Sequence, residues 1–275
     1  MTDSYYTLKS RTAVSDHADD GVVAVYESNI HAQGAWNPHE QHMAPATGVM
    51  CAELEAFMPR ADMRIGRISL DIFGLIAFGE FSIHTKLIRK GRTIELIEAV
   101  MMAHDKTCIT ARAWRMQTSD TSAVAGLENS AIASIDDLPD WEGIRHWGGG
   151  YIKSIRAKAD PNNRHGRGIV WLNNSLDMVA CDGKTLPTSD FVHLMGMVDT
   201  ANGIVPRIYQ PDGINWLFPN LDLQIHLLRL PVGRWLGFDT MQQIGDDGVG
   251  LTSSVLHDEQ GVFGHSEQIL TIRAV

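Results

Sequence analysis

The chain repeats itself. The stretch "RISLDIFGLIAFGEF" at residues 67–81 is echoed by "PNLDLQIHLLRLPVGRW" at residues 219–235. In both, a Leu-Asp pair leads into an apolar run, a glycine and an aromatic-bearing strand. Asp71 and Asp222 stand 151 residues apart in a chain of 275. Either the echo is chance, or the fold is one supersecondary unit written twice.

The flanks extend the echo. Before the first copy, "APATGVMCAELEAFMP" carries Val49, Ala52, Leu54, Ala56 and Phe57 in a helical pattern that ends at Pro59. Before the second, "TSDFVHLMGMVDTANGIVP" offers Thr188 or Ser189 as a cap. There Phe191, Leu194, Met195 and Val198 form a stripe, and Asn202 with Gly203 form a stop. Each predicted helix has about four turns. After each Leu-Asp strand come three antiparallel strands with tight turns, at Lys90–Gly91 and residues 104–106, then at residues 245–248 and 257–259. In this alignment Ala103-His104-Asp105-Lys106 falls on Leu256-His257-Asp258-Glu259.

Residues 118–147, rich in Ser, Asp and Gly, read as a linker between an N-terminal domain (1–117) and a C-terminal domain (148–275). "VVAVYES" and the segment around Trp36 are the predicted opening of the first domain. "GGYIKSIRA" and "GRGIVWLNN" are the predicted opening strands of the second.

Composition narrows the function classes. A formal charge of −10, from 33 acidic and 23 basic residues, speaks against a nucleic-acid partner. It leaves room for an anionic small molecule met by a local basic patch. Three scattered cysteines without a Cys-x-x-Cys pair indicate neither a disulfide framework nor a zinc ribbon. The N-terminus has no apolar signal core, and no apolar run reaches the roughly 18 residues of a membrane span. A cytoplasmic protein that does not engage membranes is the expectation.

A long helix across an antiparallel sheet, doubled in one chain, is the outline of a hotdog fold. The sequence resembles the acyl-CoA thioesterase II family, whose members carry two hotdog domains in one polypeptide. The residues carrying the resemblance are "QHMAPATGVMCAEL" and "KLIRKGRTIELIEAVMMAHDKTCITARAW" in the first half. In the second they are "VDTANG", "LDLQIHLLRLPVGRW" and "HDEQGVFGHSEQIL". The resemblance implies an α+β fold of two tandem hotdog domains, each an antiparallel sheet wrapped around a central helix. It also implies hydrolysis of acyl-coenzyme A by an activated water, with no cofactor beyond the coenzyme A of the substrate and with homodimers or higher homo-oligomers.

In that family an Asp on the second helix, a hydroxyl opening the next strand and a Gln on the last strand hold the water. Residue by residue these positions fall on Asp199, Asn220 and Gln268, so an amide stands where the family keeps a hydroxyl. Asp199 borders the apolar stripe, four residues after Met195, and lies at a helix C-terminus. Both settings raise a carboxylate's pKa and suit it to act as a base. Asp222 belongs to both copies of the echo and reads as structural. Met195, Leu194 and Met197 are expected along the acyl chain, and Arg89 and Arg92 at the phosphates of coenzyme A.

His39 and His42 have a His-x-x-His spacing without further ligands, so a loop or cap role outweighs a metal site. Two alternatives stand beside the thioesterase: a non-catalytic acyl-CoA-binding protein, and a hotdog hydratase. The second would need a His paired with Asp199, and His193 lies six residues earlier on the same helix.

Overall fold

The computed structural model describes residues 3–15, 17, 21–35, 37–208, 210 and 213–275. Trp36, expected near the opening of the first domain, lies outside them. The first half runs β1 (Ser4–Ala13), β2 (Val22–Ser28), α1 (Met43–Ala56), β3 (Met63–Ile72), β4 (Glu80–Arg89), β5 (Ile94–Ala103) and β6 (Lys106–Gln117). The second opens with α2 (Gly150–Ser154), β7 (Ile155–Ala159), β8 (Arg167–Asn174), β9 (Asp177–Cys181) and β10 (Lys184–Thr185). It continues with α3 (Asp190–Val198), α4 (Ala201–Ile204), β11 (Trp216–Leu217) and β12 (Asp222–Leu227). It ends with β13 (Trp235–Ile244), β14 (Val249–Asp258), β15 (Gly261–Thr271) and β16 (Arg273–Ala274).

The fold is the expected α+β pair of hotdog units, fused into one 14-stranded sheet. Its order is β10-β9-β1-β2-β4-β5-β6-β3-β12-β15-β14-β13-β8-β7. Two residues separate β8 from β9, yet β8 lies near one end of that order and β9 near the other. So short a connection spans only about 10 Å. The sheet must therefore curl until its ends approach each other around the helices, with β9 pairing parallel to β1 (Tyr6↔Val179).

The helices fill the space this curl encloses. α1 and α3 run antiparallel: Ser189 Oγ donates to Glu55 Oε2 at one end (2.8 Å), and His42 approaches Asp199 at the other. They cross at Gly48 and Gly196. A Cβ on Gly48 would lie 2.2 Å from Met178 Cε and 2.9 Å from Gly196 Cα, so no larger residue fits that contact. Pro45 sits in the first turn of α1, where its missing N–H removes a donor that has no intrahelical partner. Ser189 caps α3 by accepting from the Val192 N–H (3.2 Å).

Several expectations are corrected. The second helix is shorter than four turns: α3 ends at Val198, and Asn202 and Gly203 lie inside α4 instead of stopping a helix. Gly150–Ser154 is helical, with strand only from Ile155. A strand unforeseen in the sequence, β1, precedes "VVAVYES". The Leu-Asp echo is also reassigned. Asp71 and Asp222 are cross-strand partners where β3 meets β12, the seam between the two halves.

True repeat equivalence follows from the hairpin corners, where Ala103 pairs Lys106 and Asp258 pairs Gly261. The offset is 155 residues (258 less 103), so the turn His104-Asp105 corresponds to Glu259-Gln260. Ser69 pairs Gln224 at the same offset, which puts the pseudo-twofold axis between those two residues. The linker is strapped to the second half: Lys158 Nζ donates to Ile135 O and Leu138 O, and Trp171 Nε1 to Ala133 O.

Candidate active site

The antiparallel crossing brings the N-terminus of α1 to the C-terminus of α3, and Asp199 lies at that meeting point as the C-cap of α3. Its backbone is still helical, so the side chain continues the buried face of α3 and is itself only 6% exposed. Two amides hold it. Asn220 Nδ2 donates to Asp199 Oδ1 at 2.8 Å, and Gln268 Nε2 donates to the same oxygen at 2.9 Å and to Asp199 O at 3.2 Å. The three residues assigned through the resemblance, far apart in sequence, thus meet at one carboxylate.

Each amide is placed by the sheet. Gln268 is on β15, fully buried, opposite Thr252 of β14. Asn220 precedes β12 and bridges to Leu270. Asp222 fixes that loop: its Oδ1 accepts from the Ile269 N–H (2.8 Å), and its backbone O accepts from Asn220 Nδ2 (3.1 Å). Asp222 is thus an anchor for Asn220.

Burial raises the Asp199 carboxyl to about 6, and the hydrogen bonds from Asn220 and Gln268 hold it below where burial alone would put it. Oδ1 is occupied by the amides. Oδ2 accepts no protein hydrogen bond among the described residues and lies on the side of His42, whose Nδ1 is 4.0 Å away. Burial pushes His42 down to about 3, so the ring is neutral. His42 Nδ1 accepts from the Ala44 N–H (3.0 Å) as the N-cap of α1, which leaves the proton on Nε2. The ring packs 4.3 Å from that of Tyr151, whose hydroxyl shares a 2.6 Å hydrogen bond with Thr200 Oγ1.

Asp199, Asn220, His42 and Thr200 line a cavity of about 630 Å³, within the usual range for small-molecule sites. Ile72, Phe73, Leu75, Trp147 and Phe218 give it apolar walls, and Arg273 is its arginine. The first half, the linker and the second half all contribute. Met43 also lines it. Its N–H, first in α1, has no partner among the described residues.

The other expected residues stand elsewhere. Met195, Leu194 and Met197 are fully buried in the core and do not line the cavity. Arg89 and Arg92 lie at the β4–β5 hairpin. There Arg89 donates to Ile94 O (2.9 Å) and covers the Trp114 ring, again away from the cavity. His193 accepts from Arg234 at the far end of α3. Among the described residues no His, Cys, Asp or Glu group is arranged to hold a metal ion. No helix among them is long and apolar enough to cross a membrane.

His42, Thr200 and Tyr151 were not read from the sequence as site residues. For His42 the signal was its place at the start of a helix. For Thr200 it was adjacency to Asp199. Tyr151 lay in a segment read as strand.

Comparison with known proteins bears on the fold and the family. No curated protein matches the sequence. A conserved protein of unknown function with a hot dog fold from Alicyclobacillus acidocaldarius superposes with a TM-score of 0.72 at 12% identity, covering 95% of this chain and 100% of that one. An acyl-CoA thioesterase II, TesB2, from Mycobacterium marinum superposes at 0.63 with 14% identity, covering 91% and 92%. The CurJ dehydratase, in an inactive mutant form, superposes at 0.59 with 10% identity, covering 97% and 96%. At such identities the likeness is one of fold, shared by different chemistries. The sequence itself decides the family. Residues 32–116 match the model of the acyl-CoA thioesterase N-terminal domain and residues 131–272 that of the C-terminal domain, so the chain belongs to the acyl-CoA thioesterase family.

Proposed function

We propose that the protein hydrolyses acyl-CoA thioesters at Asp199. The observation that carries this reading is a buried carboxylate that lines a largely apolar cavity and has one oxygen fixed by two neutral amides. Ionised, Asp199 accepts a proton from a water as the water attacks the thioester carbonyl; the C–S bond then breaks, and coenzyme A leaves as a thiol on taking that proton from the carboxyl. Asn220 and Gln268 fix the direction of its free oxygen, and the neutral amides leave it more basic than an arginine would. The Met43 N–H, at the positive end of a four-turn helix, is the donor we assign to the developing oxyanion. The acyl chain lies against Phe73, Leu75 and Phe218, and Arg273 stands where a phosphate of coenzyme A can meet it.

The test is release of free thiol from a series of acyl-CoA esters. Asp199→Asn should lower kcat by roughly 10²–10⁴, the usual contribution of a general base. Wild-type activity should rise as pH passes about 6, where the carboxyl ionises. Tight binding without thiol release would replace hydrolysis with a binding role.

A second reading rests on His42 and Asp199, 4.0 Å apart. There Asp199 would take a proton from the water that adds to an enoyl thioester and return it, as the carboxyl, to the α-carbon, while the His42 Nε2–H serves as a hydrogen-bond donor. Loss of enoyl absorbance from crotonyl-CoA, abolished by His42→Asn, would favour a hydratase. Asn can still cap α1, so that variant separates chemistry from helix stability.

A further inference from the structure

A second cavity of about 710 Å³ adjoins the first, and the two share Trp147, Gly203 and Ile204 as a common wall. Gly203 has no side chain, and Ile204 is buried in α4, so the bulk of that wall is the Trp147 indole. The ring is fixed, not loosely placed. Its Nε1–H donates to Gly203 O at 3.0 Å, and it meets Phe218 edge-to-face at 6.0 Å. Its own backbone N–H donates to Ile144 O at 3.1 Å, at the end of a short 3-10 turn (Glu142–His146).

The second cavity has its own character. Trp141, Pro161, Val205, Pro206 and Ile208 give it apolar surface. The carboxylates Asp140 and Asp160 face it together with Arg164, His146 and His165, so it offers no net positive charge to the phosphates of coenzyme A. A hydrocarbon suits it better than a nucleotide. Asp199 lines the first cavity alone.

We propose that Trp147 is the end wall of the acyl chamber and sets the length of acyl chain accepted. With the indole in place, an acyl chain whose thioester lies beside Asp199 is confined to the first cavity. Without it, the two cavities join and a longer chain passes between Gly203 and Phe218 into the second. This rests on the thioesterase reading for the identity of the substrate, though not for its turnover.

The experiment compares wild type, Trp147→Ala and Trp147→Phe on acyl-CoA esters from butyryl to hexadecanoyl. Binding of the non-hydrolysable thioether analogues is measured in parallel by calorimetry, and folding of each variant by thermal melting. Trp147→Ala should raise the hexadecanoyl-to-octanoyl ratio of kcat/KM by roughly tenfold or more, since even one methylene is worth that much in a well-formed apolar pocket. Trp147→Phe keeps most of the wall and should shift the ratio less. If Trp147→Ala does not fold, Trp147→Leu replaces it.

A folded variant with an unchanged length profile in both turnover and binding overturns the proposal. If wild type binds the analogues without hydrolysing the esters, hydrolysis fails while a shifted binding profile still supports the wall. If no analogue binds any variant, the proposal falls with the substrate.

Discussion

The two halves of the molecule differ in how they hold one buried acid. In the first, each buried glutamate faces an arginine: Arg11 lies 2.5 Å from Glu53, Arg115 2.6 Å from Glu95, and Arg112 2.8 Å from Glu98. In the second, Asp258 likewise has Arg229, but Asp199 has only the amides of Asn220 and Gln268. An arginine compensates a buried charge and fixes it, whereas an amide orients the charge without neutralising it. The sheet offset of 155 residues makes the contrast local. Gln268 corresponds to Ala113 and Asn220 to Ile65, both buried and apolar. Three residues beyond the crossing glycines stand Asp199 on one helix and Cys51 on the other, the latter a thiol whose pKa burial pushes up. The fold repeats but the polar set does not. The first half contributes the start of α1 instead, with His42 and the Met43 N–H.

The largest test of this contrast is to place an acid where the first half has none. Cys51→Asp puts a carboxyl among apolar neighbours without an amide to receive it. It should destabilise the protein by about 3 kcal/mol or more at neutral pH, the order expected for an unpaired buried polar group. Denaturant unfolding would check it. Loss below 1 kcal/mol would mean that the two ends of the helix pair are equally able to hold an acid.

The complementary test removes the acid that is there. Asp199 has a folded pKa of about 6 against an ordinary value of 3.8. Below 3.8 both the folded and unfolded forms are protonated, and burial of the neutral carboxyl carries no charge penalty. Between 3.8 and 6 the native state keeps its proton while the unfolded state releases it, so stability falls as pH rises. Above 6 the penalty is complete, about 3 kcal/mol for a shift of that size. Asp199→Asn should therefore stabilise the fold by about that amount at pH 8 and scarcely at all near pH 4. Equal effects at the two pH values would show that the carboxylate is not desolvated.

These residues also mark how far the sequence could be read. Doubling, the α+β class and the three residues meeting at Asp199 were legible, because helix period, strand alternation and a family resemblance each left a linear trace. The register of the repeat was not. The Leu-Asp echo aligned two residues that instead face each other across the seam, since a pseudo-twofold axis relates neighbours as well as equivalents. Met195 was expected along the acyl chain because α3 is apolar. That helix is buried on every side by α1 and the sheet, which leaves the cavity to form at the helix ends. Trp147 ends a segment read as linker, and its place in the wall follows only from how that segment is strapped to the second half.

The smallest predicted effect concerns Asn220. The family resemblance implies a hydroxyl at this position, and here an amide donates to Asp199 Oδ1 and to the Asp222 carbonyl at once. A threonine has one donor hydrogen, so Asn220→Thr must give up one of those two bonds. If it keeps the bond to Asp199, the carboxylate stays oriented, and kcat/KM should change by less than about tenfold, the scale of a single neutral hydrogen bond of roughly 1 kcal/mol. If it keeps the bond to Asp222, Asp199 loses a donor that lowers its pKa, and the activity profile should move to higher pH. The pH profile therefore distinguishes the two cases where the rate alone does not. An unmoved profile with a loss well beyond tenfold would mean that Asn220 contacts the substrate itself, a role its position on the cavity wall permits.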